Sequence, residues 1–125
     1  MIAVLLLLFW QAPLPQSSAM MEFHRTGGFA GFDDHITIST NGTAAINSRS
    51  VKSSKKIPPK EVTFLTRQLR TSGLFDRDSS HLSEGADHII YEIKYKGVAV
   101  TAYDDKVPPK LKIAILRFLN LLGSR

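Results

Sequence analysis

The stretch HIIYEIKYKGVAVTAY, residues 88–103, decides the fold. Its first half alternates. Ile89, Tyr91, Ile93 and Tyr95 fall on one side of an extended chain, and Glu92 and Lys94 on the other, because successive side chains of a strand point to opposite faces. Lys96-Gly97 then reads as a hairpin turn, and VAVTAY (residues 98–103) as the returning strand. A sheet with one apolar face follows, and that face needs a second layer to cover it.

Two segments supply the cover. IPPKEVTFLTRQLRTSG (residues 57–73) and VPPKLKIAILRFLNLLG (residues 107–123) each open on a proline pair and close on glycine. Proline suits a first helical turn, where its missing N–H has no partner to lose, and glycine suits the position just past a helix. The spacing predicts helices over 59–72 and 108–122. Val62, Leu65 and Leu69 form one apolar stripe in the first. Leu111, Ala114, Ile115, Phe118, Leu119 and Leu122 form a wider one in the second, with Ile113 and Leu116 stranded on its polar side. Those two are expected to meet a partner or a poorly covered sheet edge.

Upstream, HITIST (residues 35–40) alternates and Asn41-Gly42 turns the chain into TAAIN (residues 43–47). MEFHRT (residues 21–26) reads as the first strand. The expected fold is α+β: a two-layer sandwich with an antiparallel sheet of four to five strands and two helices on one face, in the order β-β-β-α-β-β-α. SRSVKSSKK (residues 48–56) reads as a basic linker. The connection at residues 74–87 is long for a compact domain, and long connections are more often functional than structural.

The chain has 125 residues, 43% of them apolar, and no cysteine. That is enough for one self-sufficient core and excludes disulfides and cysteine-based zinc sites. Net charge is +5, and no charged side chain precedes Glu22. The basic residues are not interleaved with aromatic ones as a nucleic-acid stacking surface requires, so no nucleic-acid partner is expected. An anionic surface or an acidic protein remains compatible with the charge.

Residues 1–19 stand apart. The apolar run IAVLLLLFW is too short to span a bilayer, which takes about 20 residues, so no stable membrane span is expected. Ser17 and Ala19 fit the small-residue positions of a signal-peptidase site. The segment reads as a signal peptide before a domain at 20–125, implying a secreted or periplasmic protein. The other reading starts translation at Met20 or Met21 and leaves the protein cytoplasmic.

Catalytic signatures do not occur. The four histidines, His24, His35, His81 and His88, form no H-E-x-x-H, and there is no G-x-S-x-G, so no enzyme activity, cofactor or metal is expected. His81 and His88 with Asp87 are too widely spaced along a loop for a ligand set. Asp76, Asp78 and Ser80 imitate a calcium loop, but His81 stands where glycine is needed and Asp87 where a bidentate glutamate is needed.

HRTGGFAGFDD (residues 24–34) surrounds one phenylalanine with the most permissive backbone in the chain. The spacing is not that of a phosphate loop. Two readings stand on local chemistry. The glycines supply positive φ for a turn that folds Phe29 onto the core, or they clear the space around Phe29 so that it enters a partner's pocket.

RTGGFAGF, followed by GADHIIYEIKYKGVAVTAYDDKVPPKL, resembles the emfourin family, small protein inhibitors of protealysin. The family pattern runs through an S-G-G-F-A-G-[IF] element, matched at residues 25–32. A phenylalanine-containing helix end follows, matched at Leu74 and Phe75. D-x-x-x-Y is matched from Asp87 to Tyr91, D-x-x-x-P from Asp104 to Pro108, and a C-terminal helix ends it. The likeness covers residues 21–122. The segment from Asn41 to Lys56 is longer and more basic than the family pattern, and the apolar leader is an addition. The resemblance implies a competitive inhibitor of thermolysin-like zinc metalloproteases. Such proteases favour a bulky apolar residue just after the scissile bond, which nominates Gly27, Gly28, Phe29, Ala30 and Gly31 as the protease contact. The alternative is a non-catalytic basic module that meets an anionic surface or a partner protein through residues 48–56.

Overall fold

The computed structural model describes residues 19–49, 51–82 and 88–123. The leader up to residue 18, and residues 83–87 of the long connection with Asp87 among them, lie outside these. Among the described residues seven strands form one sheet in the order β4-β3-β2-β1-β6-β7-β5. They are β1 (Ala19–Gly27), β2 (Phe32–Ser39), β3 (Thr43–Ser48), β4 (Val51–Lys56), β5 (Ser79–His81), β6 (Ile89–Tyr95) and β7 (Val98–Tyr103). Helix α1 (Pro59–Thr71) follows β4, and α2 (Pro109–Gly123) follows β7.

The α+β class, the two helices and the 88–103 hairpin stand as expected. Tyr95 faces Val98 and Ile93 faces Val100 across the β6–β7 pair. The strand count does not: there are seven, not four to five. Residues 51–56, expected as a linker, are β4, paired antiparallel with β3 from Thr43↔Lys56 to Ser48↔Val51. VKSSKK has no apolar alternation because little of this strand faces the core. Backbone pairing to the open edge of β3 makes it a strand, and pairing leaves no mark on side-chain pattern. Its lysines also keep an edge strand from templating aggregation. The second addition, β5, lies inside the long connection and runs parallel to β7, so the sheet is mixed.

One face of the sheet carries the core. Met21, Phe23, Ile36, Ile38, Ile93 and Val100 are buried against Leu65 and Leu69 of α1 and Leu111, Ala114, Ile115 and Phe118 of α2. The two helices therefore cover the same face. Phe23, in the central strand, stacks on Phe118 with ring centroids 4.8 Å apart and 7° between planes. Burying a ring of that size is worth roughly 1.5–3 kcal/mol. At the start of α1 the Pro58 carbonyl accepts the amides of Glu61 and Val62, and beyond its end Gly73 takes φ 72°, as the capping pattern implied. Arg117 of α2 lies over the Phe64 ring and reaches Glu61 at 3.2 Å, joining the helices on their outer side. Ile113 and Leu116 are exposed, Leu116 to 60%.

Candidate functional site

The glycine cluster is the hairpin between β1 and β2, two strands at the middle of the sheet. Gly27 pairs with Phe32, leaving Gly28, Phe29, Ala30 and Gly31 as the loop. The Gly31 amide donates to the Gly28 carbonyl at 3.1 Å. Gly27, Gly28 and Gly31 have φ of 90°, 73° and 63°, a region costly for any side chain with a Cβ. At Gly27 space is a second constraint: a Cβ there would lie 2.6 Å from the His88 carbonyl oxygen.

Phe29 is 92% exposed. It does not fold onto the core, which was one of the two readings of this loop. The covering role falls to its neighbours. Phe32 lies beneath the Arg25 guanidinium, 3.8 Å from carbon to ring centroid, and Ile89 packs beneath Gly28.

The loop is held by residues distant in sequence. Arg49, after β3, donates from Nη1 to the Ala30 carbonyl at 2.8 Å. The Gly28 amide donates to the His88 carbonyl at 3.2 Å. Below the loop Asp34 is only 4% exposed. It accepts from Arg25 Nε at 2.8 Å and from the Ser48 hydroxyl, and Arg25 Nη2 lies 2.6 Å from the same carboxylate. A carboxylate so buried is tolerated only because it is both paired and hydrogen-bonded. This ties β1, β2 and β3 together at the loop's base. Tyr91, opposite Arg25 on β6, has its phenol pKa raised by burial, with Arg25 opposing the shift and Asp104 adding to it.

Two histidine clusters emerge from strand register. On the face of the sheet away from the helices, His24 stands opposite His35, and both approach Asp33. At the sheet end, His88 Nδ1 lies 3.0 Å from Asp104 and 3.6 Å from Asp105. Spacing along the chain hid both groups. His24 and His35 are eleven positions apart, but a four-residue loop at 28–31 makes them a cross-strand pair. The calcium-like series is put to another use: Asp78 accepts the Ala99 amide at 2.7 Å and holds the start of β7.

The basic run is partly occupied. Lys55 Nζ donates to the Leu121 carbonyl at 3.0 Å, and Lys56 Nζ to the Asn41 carbonyl. These lysines fasten β4 to α2 and to the β2–β3 turn. Against models of protein families and against curated proteins, the chain finds no match.

Proposed function

We propose that this protein is a competitive inhibitor of thermolysin-like zinc metalloproteases, and that the hairpin at residues 27–31 is its protease contact, with Phe29 as the anchor. One observation carries the reading: a phenylalanine 92% exposed at the tip of a hairpin fixed by Arg49 and His88. An apolar ring in water gains nothing for the fold, whereas a large rigid anchor entering a pocket is the usual source of binding energy at an interface. Gly28, Ala30 and Gly31 leave the ring accessible from several sides. The remote hydrogen bonds fix the loop before binding, so little conformational entropy is lost when the cleft closes on it. The protein acts by occupying the cleft and not by catalysis. Among the described residues no helix is long and apolar enough to cross a membrane. Export through the leader would place the inhibitor beside secreted proteases of this class.

The test is a peptide-cleavage assay with thermolysin and protealysin, each with and without the protein, paired with thermal melting. The native protein is expected to inhibit. Phe29→Ala is expected to weaken inhibition by roughly 2–4 kcal/mol while melting at the native temperature, since exposed side chains contribute within about 0.5 kcal/mol. Full inhibition by a folded Phe29→Ala protein moves the contact to the connection at residues 74–87. Absence of inhibition by the native protein rejects the function.

A further inference from the structure

The outer face of the sheet carries a constellation that the inhibitor reading does not use. His24 on β1 and His35 on β2 stand directly opposite each other, with rings stacked at a centroid distance of 3.6 Å. Asp33, two residues before His35, projects from the same face. Its Oδ1 lies 3.4 Å from His24 Nε2 and 3.5 Å from His35 Nε2. The three donor atoms all lie within 4.8 Å of one another.

The His24–Asp33 contact is a long hydrogen bond, and both separations lie beyond the usual N–H···O range of about 2.7–3.2 Å. The two oxygen–nitrogen separations are also those of donors that share one ion, which the imidazoles reach by turning out of their stack, because a ring nitrogen binds a metal in the plane of its ring. Donors bound tetrahedrally at about 2.0–2.2 Å from one zinc ion stand roughly 3.3–3.6 Å apart. Two imidazole nitrogens and one carboxylate oxygen are a donor set suited to late first-row divalent ions. Glu22 and Glu92 line the shallow recess beside the histidines, together with Lys94. Their carboxylates lower the cost of bringing a dication to the sheet. Asp33 is mostly exposed and His35 half-exposed, which leaves the outer coordination positions to water.

We propose that His24, Asp33 and His35 form a two-histidine, one-carboxylate site for a divalent ion of the zinc class. The site rests on the β1–β2 register alone and does not depend on the proposed inhibition. Its three ligands come from both strands of the hairpin that carries Phe29, Asp33 one residue pair and the two histidines three pairs below the Gly27–Phe32 closure. An ion bound there ties the strands together and stabilises the folded chain, because an unfolded chain does not keep the three donors together.

Calorimetric titration of the full chain with zinc chloride tests this, with histidine side-chain NMR and thermal melting alongside. One zinc per chain is expected at micromolar affinity. The imidazole signals of His24 and His35 should shift, and the melting temperature should rise with zinc. His35→Gln changes a half-exposed ring, so the variant is expected to fold as the native chain and to lose at least tenfold in affinity. His24→Gln is the second variant and is expected to lose as much. Asp104→Asn, in the other histidine-carboxylate group, should bind zinc as the native chain does. No zinc binding by the native protein overturns the proposal. So does binding that survives in the His24→Gln, His35→Gln double variant, or binding lost in Asp104→Asn.

Discussion

Strand β2 is closed by a hairpin at each end, and both hairpins use glycine at positive φ. At the Asn41-Gly42 end the turn's own Asn41 side chain and the end of β4 supply the tethers. Asn41 Oδ1 accepts the Thr43 amide at 3.0 Å, the Gly42 carbonyl accepts the Ile57 amide at 2.8 Å, and Gly42 is itself buried. Lys56, on the neighbouring edge strand, closes over the Asn41 carbonyl. At the residue 27–31 end the tethers come from Arg49 and His88, and the tip carries an exposed phenylalanine. The Asn41-Gly42 turn carries its own polar side chain as a partner and has no large apolar group at its tip. A turn held by Arg49 and His88 with its largest apolar group facing water fits the anchoring role proposed for Phe29.

The base of the presenting hairpin is where the contrast breaks most easily. Asp34→Ala leaves the Arg25 guanidinium without its buried partner and is expected to cost about 3 kcal/mol, the lower end for such a pair because Arg25 is partly exposed. Chemical denaturation gives the value. Hydrogen exchange should show the Gly28 and Gly31 amides opening more than those of Thr43 and Ile57. Equal loosening at both ends would mean that the two hairpins are not held independently.

Next in size is the loop backbone. Gly27→Ala meets both the φ penalty and the His88 carbonyl, for roughly 2–3 kcal/mol. Gly31→Ala meets only the φ penalty of roughly 1–2 kcal/mol, since its Cβ would find just the Arg49 guanidinium at 3.7 Å. Melting curves of the two variants should keep that order, and a reversed order would discard the close approach to His88 as the reason for glycine at 27.

At the other end, Asn41→Ala removes local hydrogen bonds worth about 1 kcal/mol. It is expected to lower the melting temperature and to leave protease inhibition untouched. A loss of inhibition in a folded Asn41→Ala protein would erase the division between reversing and presenting turns.

The smallest effect is a pH dependence beneath the presenting hairpin. Burial raises the Tyr91 phenol above its ordinary value, so the folded chain keeps that proton to higher pH than the unfolded chain does. Between the two values the unfolded state binds fewer protons, and stability falls as pH rises. The contribution is complete below the unfolded value of about 10 and is lost as pH rises through the folded one. Tyr91→Phe should flatten this part of the stability curve in denaturant titrations above pH 9, and an unchanged slope would assign the alkaline loss to other groups.

What the sequence determined by itself was whatever is written in local pattern. Alternation placed β6 and β7, the 3.6-residue period and proline-to-glycine punctuation placed α1 and α2, and Asn41-Gly42 placed a turn. The glycines of 27–31 announced a special backbone. Tertiary structure decided the rest, for reasons that side-chain pattern does not carry. Residues 51–56 became a strand because β3 offered an unpaired edge, and backbone hydrogen bonds do not require apolar side chains. Phe29 was left in water while Phe32 and Ile89 lie against the base of the loop, an outcome of packing and not of residue type. His24, Asp33 and His35 came together only through the register of β1 on β2, which the length of the loop between them sets.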